Sequence, residues 1–166
     1  MDEPPLSPIG PEQAALLEGH VSMIVGSRDE RLRPHVTRAL GCRLDAERRL
    51  ATVLLPRDAG AQVIADLQAN GRIAVVASQP TTNRTLQIKG SDATLRPCSA
   101  QDEALAEEHL AGFIEEIGQL GFDPEVARTI HGHASGMVAV AFTVTEAFEQ
   151  TPGPQAGAPL SAASAP

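Results

Sequence analysis

The chain has 166 residues, 42% of them hydrophobic, and carries a formal net charge of −8 from 21 acidic and 13 basic residues. That length fits one domain of ordinary size. The acidic balance and the lack of Trp and Tyr argue against a module that stacks bases on aromatic platforms or presents a basic surface to nucleic acid, and no run approaches the roughly 18 apolar residues of a membrane span.

The opening MDEPPLSPIG is acidic and rich in proline, with no apolar leader, so residues 1–10 are expected to be disordered and the protein soluble and cytoplasmic. Pro11 to Glu18 reads as a short helix with proline at an early helical position. His20 to Ser27 then reads as a first strand, ending in the charged turn Arg28 to Arg31. Arg33 to Leu44 gives a second strand and Leu50 to Leu55 a third, and links this short require an antiparallel meander. Asp58 is placed to cap a helix with Val63, Ile64 and Leu67 on one face, which Asn70-Gly71 stops. Arg72 to Ser78 and Arg84 to Leu95 are the fourth and fifth strands.

Ser99 and Asp102 have capping-box spacing at the start of a long helix, whose buried stripe is Leu110, Phe113, Ile114 and Ile117. Gly118 and Gly121 end it, and Asp123-Pro124 begins a second helix reaching about Ile130. Met137 to Thr145 is the sixth strand. From Thr151 onward the chain is uncharged Pro, Gly, Ala and Ser, a tail expected to be disordered or laid over a partner. One domain over residues 11–150 is therefore expected, mainly β with helices, its six antiparallel strands forming a small barrel.

Charge is distributed unevenly along this order. Eleven of the 13 basic residues lie between Arg28 and Lys89, against six of the 21 acidic ones. A basic middle in an acidic protein suits a small anionic ligand better than a long polyanion. Within it, Ser78 to Gly90 is a polar turn running into an alternating strand. Leu86 and Ile88 face one side, and Thr85, Gln87 and Lys89 the other. Gln87 and Lys89 can thus offer an amide and a cation to one ligand, with the hydroxyl of Thr82 and the guanidinium of Arg84 at its rim.

Other chemistries find less support. His109, His131 and His133 invite a metal reading, but no carboxylate-histidine motif surrounds them, so no metal is expected. Cys42 beside Arg43 reads as a small buried hydrophobe. The two cysteines form no CxxC pair, and there is no nucleophile elbow, P-loop or dinucleotide glycine fingerprint.

Three segments taken together resemble the FMN-binding split-barrel family typified by pyridoxamine 5′-phosphate oxidase. They are Arg33-Pro34-His35-Val36-Thr37-Arg38, then Leu67 to Val75, LQANGRIAV, then Arg84-Thr85-Leu86-Gln87-Ile88-Lys89-Gly90. The resemblance implies a six-stranded split β-barrel, FMN at a homodimer interface, and hydride transfer with a small organic substrate. By position, Gln87 matches a flavin-contacting glutamine, and either Thr37 or Arg38 a basic position on the second strand. Where the oxidase enters its helix with a Ser-Arg-Lys phosphate grip, this chain has Ala61, Gln62 and Val63, leaving Arg57 or Lys89 to supply the cation. The oxidase's C-terminal substrate segment, with its Trp and Arg, has no counterpart in this tail, which argues against the vitamin-forming reaction. The alternative is a non-enzymatic protein on the same fold that binds haem, a deazaflavin or no cofactor.

Overall fold

The computed structural model describes residues 7–131 and 136–161. In chain order the elements are α1 (Pro11–Leu17), β1 (Ser22–Arg28), β2 (Pro34–Arg38), β3 (Cys42–Leu44), β4 (Leu50–Pro56), α2 (Ala61–Asn70), β5 (Ile73–Ser78), β6 (Thr85–Gly90), β7 (Thr94–Pro97), α3 (Ala100–Gly118), α4 (Pro124–His131), β8 (Met137–Thr143) and β9 (Glu146–Glu149). Every pairing is antiparallel. The strands form a five-stranded sheet in the order β2-β1-β5-β6-β9 and a four-stranded sheet in the order β3-β4-β8-β7.

The difference from six strands lies in three places where the chain changes sheets. The second expected strand breaks after β2: the Ala39 amide still donates to Met23 in β1, while the Leu40 amide donates to Leu54 in β4. Gly41, with φ +150°, makes that transfer in backbone that residues with a Cβ rarely adopt. The fifth breaks after Gly90, where a Cβ would lie 2.6 Å from both the Thr143 carbonyl oxygen and the Phe142 ring. There Asp92 accepts from the Thr143 amide at 2.8 Å and from its hydroxyl at 2.7 Å. After β8, the Thr145 amide donates to the Lys89 carbonyl and delivers the chain to β9. These bends let short strands wrap two sheets around one core without a long closed barrel.

The core is aliphatic, as the composition requires. Val25, Val53, Leu55, Val75, Ile88 and Val140 are fully buried between the sheets. α2 closes one end through Val63 and Leu67. α3 covers the outer side of the four-stranded sheet, packing Ala106 against Leu40, Leu54 and Ala139.

Helix ends follow partly from sequence. Gly71 stops α2 in the left-handed region at φ +67°, but Gly60 rather than Asp58 is its N-cap, without a side-chain bond. Asp58 contributes only its carbonyl, which accepts from the Ala61 amide. Ser99 and Asp102 do form the reciprocal capping box of α3. The chain ends pack more than their composition suggests: Ile9 is 1% exposed and joins the core. Residues 151–160 turn back so that Pro159 pairs with Phe148 and the Leu160 amide donates to Ala147. No helix among the described residues is long and apolar enough to cross a membrane.

Candidate functional site

Strand alternation gives the five-stranded sheet a buried face and an open one. In β6, Leu86 and Ile88 are buried while Thr85, Gln87 and Lys89 are half-exposed, as the alternation predicts. The register then aligns the open-face residues of all five strands. One row runs Arg38, Ile24, Val76, Gln87, Phe148, each paired with the next. The adjacent row runs Val36, Gly26, Ala74, Lys89, Glu146.

The middle of this face is apolar and low. Ile24 and Val76 flank Gly26 and Ala74, and a Cβ on Gly26 would meet nothing closer than 4.0 Å. Polar groups stand around that floor. Arg38 Nη1 donates to Ser22 Oγ at 3.1 Å, and the Lys89 ammonium sits 4.7 Å from the centroid of the Phe148 ring, a cation–π contact. Val36, at the edge, is 69% exposed. A flat apolar floor with an amide and two cations at its margins suits a planar anionic ligand or a second protein surface.

The seven residues singled out from sequence do not all converge here. Arg38, Gln87 and Lys89 share the open face. Thr37 lies one position from Arg38 and therefore points the other way; it is buried against the start of α2, 3.5 Å from where a Gly60 Cβ would be. Thr82 and Arg84 belong to the β5–β6 turn. The Thr82 hydroxyl donates to Gln79 Oε1 at 2.9 Å and accepts from the Arg84 amide at 3.2 Å. Arg84 reaches Glu12 on α1 at 3.9 Å, while the neighbouring Thr81 is held by Glu116 of α3. That turn is tied to helices rather than folded over Gln87.

Arg57 stands elsewhere again. It follows β4 and lines a cavity of about 410 Å³ under α3, together with Leu40, Cys98, His131 and Met137. The His131 imidazole in this cavity is held below its usual range by burial and, to a smaller degree, by the charge of Arg38. Burial also raises the Cys98 thiol.

Two arrangements escaped the sequence. Asp102, expected only as a cap, is fully buried and binds both Arg43 and Arg96 as well as the Ser99 amide. The Arg96 hydrogen bond, the Ser99 contacts and Arg43 hold its carboxyl far below the usual carboxylate range, against the effect of burial. His109 and His131 are both buried, with ring centroids 5.5 Å apart, and Phe113 packs 4.7 Å from His131. His133 lies outside the described residues, and no group of three or more metal-ligating side chains occurs among the described ones. Cys42 is buried as expected; burial, with help from Glu18, pushes its thiol up to about 12 despite Arg43.

No protein-family model and no curated protein matches the sequence. Solved structures do. An F420 reductase superposes with a TM-score of 0.54 at 14% identity, over 84% of this chain and 98% of that one. HupZ of Group A Streptococcus gives 0.54 at 16% identity, over 90% and 99%. A candidate pyridoxamine 5′-phosphate oxidase of Lactobacillus delbrueckii gives 0.52 at 11% identity, over 84% and 93%. At such identities the likeness is one of fold: the two antiparallel sheets and their three strand transfers are the split barrel of pyridoxamine 5′-phosphate oxidase-like proteins.

Proposed function

We propose that the chain is a flavin-binding oxidoreductase that works as a homodimer, with FMN held on the open face of the five-stranded sheet. The observation that carries the reading is that face itself: Ile24, Val76, Gly26 and Ala74 form an apolar floor, and Arg38, Gln87 and Lys89 rise at its margins. The group fits, because the floor is low enough for a planar ring and Gln87 can donate to or accept from a ring heteroatom. Exposed Val36 and half-exposed Ile24 and Val76 favour a second copy of the chain as the cover that excludes water from it. Bound flavin supplies the hydride chemistry with a small organic substrate. The protein's share is to orient the ring through Gln87 and to balance its charge through Lys89 and Arg38.

A deazaflavin in place of FMN is the second reading, favoured by the likeness to an F420 reductase. Titration of the purified protein with FMN and, in parallel, F420 decides between them by cofactor fluorescence and visible absorbance. Gln87→Ala and Lys89→Ala are each expected to weaken the bound cofactor about tenfold, the scale of one hydrogen bond to a charged or strongly polar group. Failure to bind either cofactor overturns the flavin reading, and unchanged affinity in both variants moves the site off this strand. Val76→Asp places a charge in the middle of the face; light scattering should show a dimer for the wild type and a monomer for the variant.

A further inference from the structure

Where the resembled oxidases enter the helix with a Ser-Arg-Lys phosphate grip, α2 begins Ala61-Gln62-Val63. The cations stand at its other end, roughly 15 Å away for a ten-residue helix. Gly71 reverses the chain in the left-handed region and sets Arg72 at the mouth of β5. The β1–β5 ladder pairs Gly26 with Ala74, so Arg28 and Arg72, each two residues further out, come level on neighbouring strands. Lys89 pairs with Ala74 from the other side. Three cations, Arg28 and Lys89 on β1 and β6 and Arg72 just before β5, thus line one cleft of about 460 Å³, whose wall includes Gly26, Ala74 and Glu146.

None of the three is consumed by an ion pair among the described residues. Arg28 Nη1 donates only to the Asp29 carbonyl at 3.2 Å, and Lys89 rests on the Phe148 ring. Gathering three like charges that face one carboxylate and form no ion pair is unfavourable unless an anion joins them. Two guanidinium forks and one ammonium are the set that a phosphate monoester takes, the forks bidentately and the lysine as a point charge. Among the described residues Glu146 is the one carboxylate lining the cleft, across the ladder from Lys89.

We propose that the cleft of Arg28, Arg72 and Lys89 is the phosphate site of this protein, taking the phosphate monoester of a ligand whose planar part lies beside it on Ile24, Val76 and Gln87. The planar part rests on the flavin reading above; the phosphate site does not. The grip has moved from the entry of α2 to its exit, and the cluster of basic residues between Arg28 and Lys89 is the sequence trace of that move.

The test titrates FMN, riboflavin and inorganic phosphate into the wild type, the Arg28→Gln/Arg72→Gln double variant and Glu146→Gln, reading flavin fluorescence and backbone amide shifts at low ionic strength. Wild type is expected to prefer FMN over riboflavin about 100-fold. The double variant should lose most of that preference while keeping its riboflavin affinity, and Glu146→Gln should bind FMN several-fold more tightly. An undiminished preference in the double variant overturns the phosphate site while leaving the flavin reading intact. If no flavin binds, phosphate-induced shifts at the Arg72 and Lys89 amides that vanish in the double variant uphold the site and remove only the flavin. No shift at those amides in the wild type overturns the site. Arg72 is exposed and Arg28 half-exposed, so the fold is expected to tolerate both changes, and the amide spectrum of the double variant reports it directly.

Discussion

His109 gives this fold a stability that depends on acidity in a defined window. It is 3% exposed, and its Nε2 is buried without a partner among the described residues. Burial first, then repulsion from His131 and His20, lowers its pKa from 6.5 to about 4. A depressed histidine is neutral in the folded protein while the unfolded chain takes up the proton, so stability falls as the pH drops through the interval between the two values and levels off below about 4. At 1.36 kcal/mol per unit the loss across the window is about 3 kcal/mol. The assay is urea unfolding followed by far-UV circular dichroism from pH 7 to pH 4, on the wild type and on His109→Leu. Carboxylates titrate in both proteins and cancel in the comparison, so the stability difference between them should shift by about 3 kcal/mol in favour of the variant as the pH falls. Near pH 7 the variant should lie within about 1 kcal/mol of the wild type, because losing ring packing is offset by removing an unsatisfied buried nitrogen. A difference that stays constant from pH 7 to pH 4 would refute the account of a neutral, desolvated imidazole.

The remaining predictions concern packing and charge. Asp102→Asn removes the carboxylate that Arg43 and Arg96 share; a loss of roughly 2–3 kcal/mol is expected in urea unfolding, less than for a fully enclosed ion pair because both guanidiniums reach water. Gly112→Ala puts a Cβ 2.0 Å from the His20 ring, and displacing that ring should cost about 1–3 kcal/mol, visible as a lowered Tm. Gly118→Ala, near the end of the same helix with nothing within 4 Å of its Cβ, is the control and should raise stability by up to about 1 kcal/mol. Equal Tm changes in the two alanine variants would show that contact with His20 is not what demands glycine.

What the sequence disclosed follows the range of the interactions involved. The two faces of β6 were legible because alternation is a property of six consecutive residues, and the cap of α3 because Ser99 and Asp102 are three apart. The second role of Asp102 was hidden, since Arg43 is 59 positions away. The sheet transfers were hidden for a different reason. Arg33 to Leu44 is uniformly suited to a strand, and only Gly41 marks the point where its partner changes from β1 to β4. Likewise Arg28 and Arg72 meet only through the β1–β5 register, so the sequence could show an excess of basic residues but not the cleft they build.

The choice between Thr37 and Arg38 shows how narrow that gap is. A bulge at Gly41 could have shifted the strand by one residue and exchanged the two faces. In the structure the irregularity falls after β2, whose pairing with β1 runs unbroken from Pro34 to Arg38. Parity then gives Arg38 to the open face and turns Thr37 toward α2. The two positions should accordingly fail in different ways. Thr37→Ala would loosen the start of α2 and lower Tm without a specific effect on ligand, whereas Arg38→Ala would leave Tm nearly unchanged and weaken whatever lies on Ile24 and Val76. A variant pair with those effects interchanged would mean that the register of β2, and with it the open face as drawn across all five strands, is off by one residue.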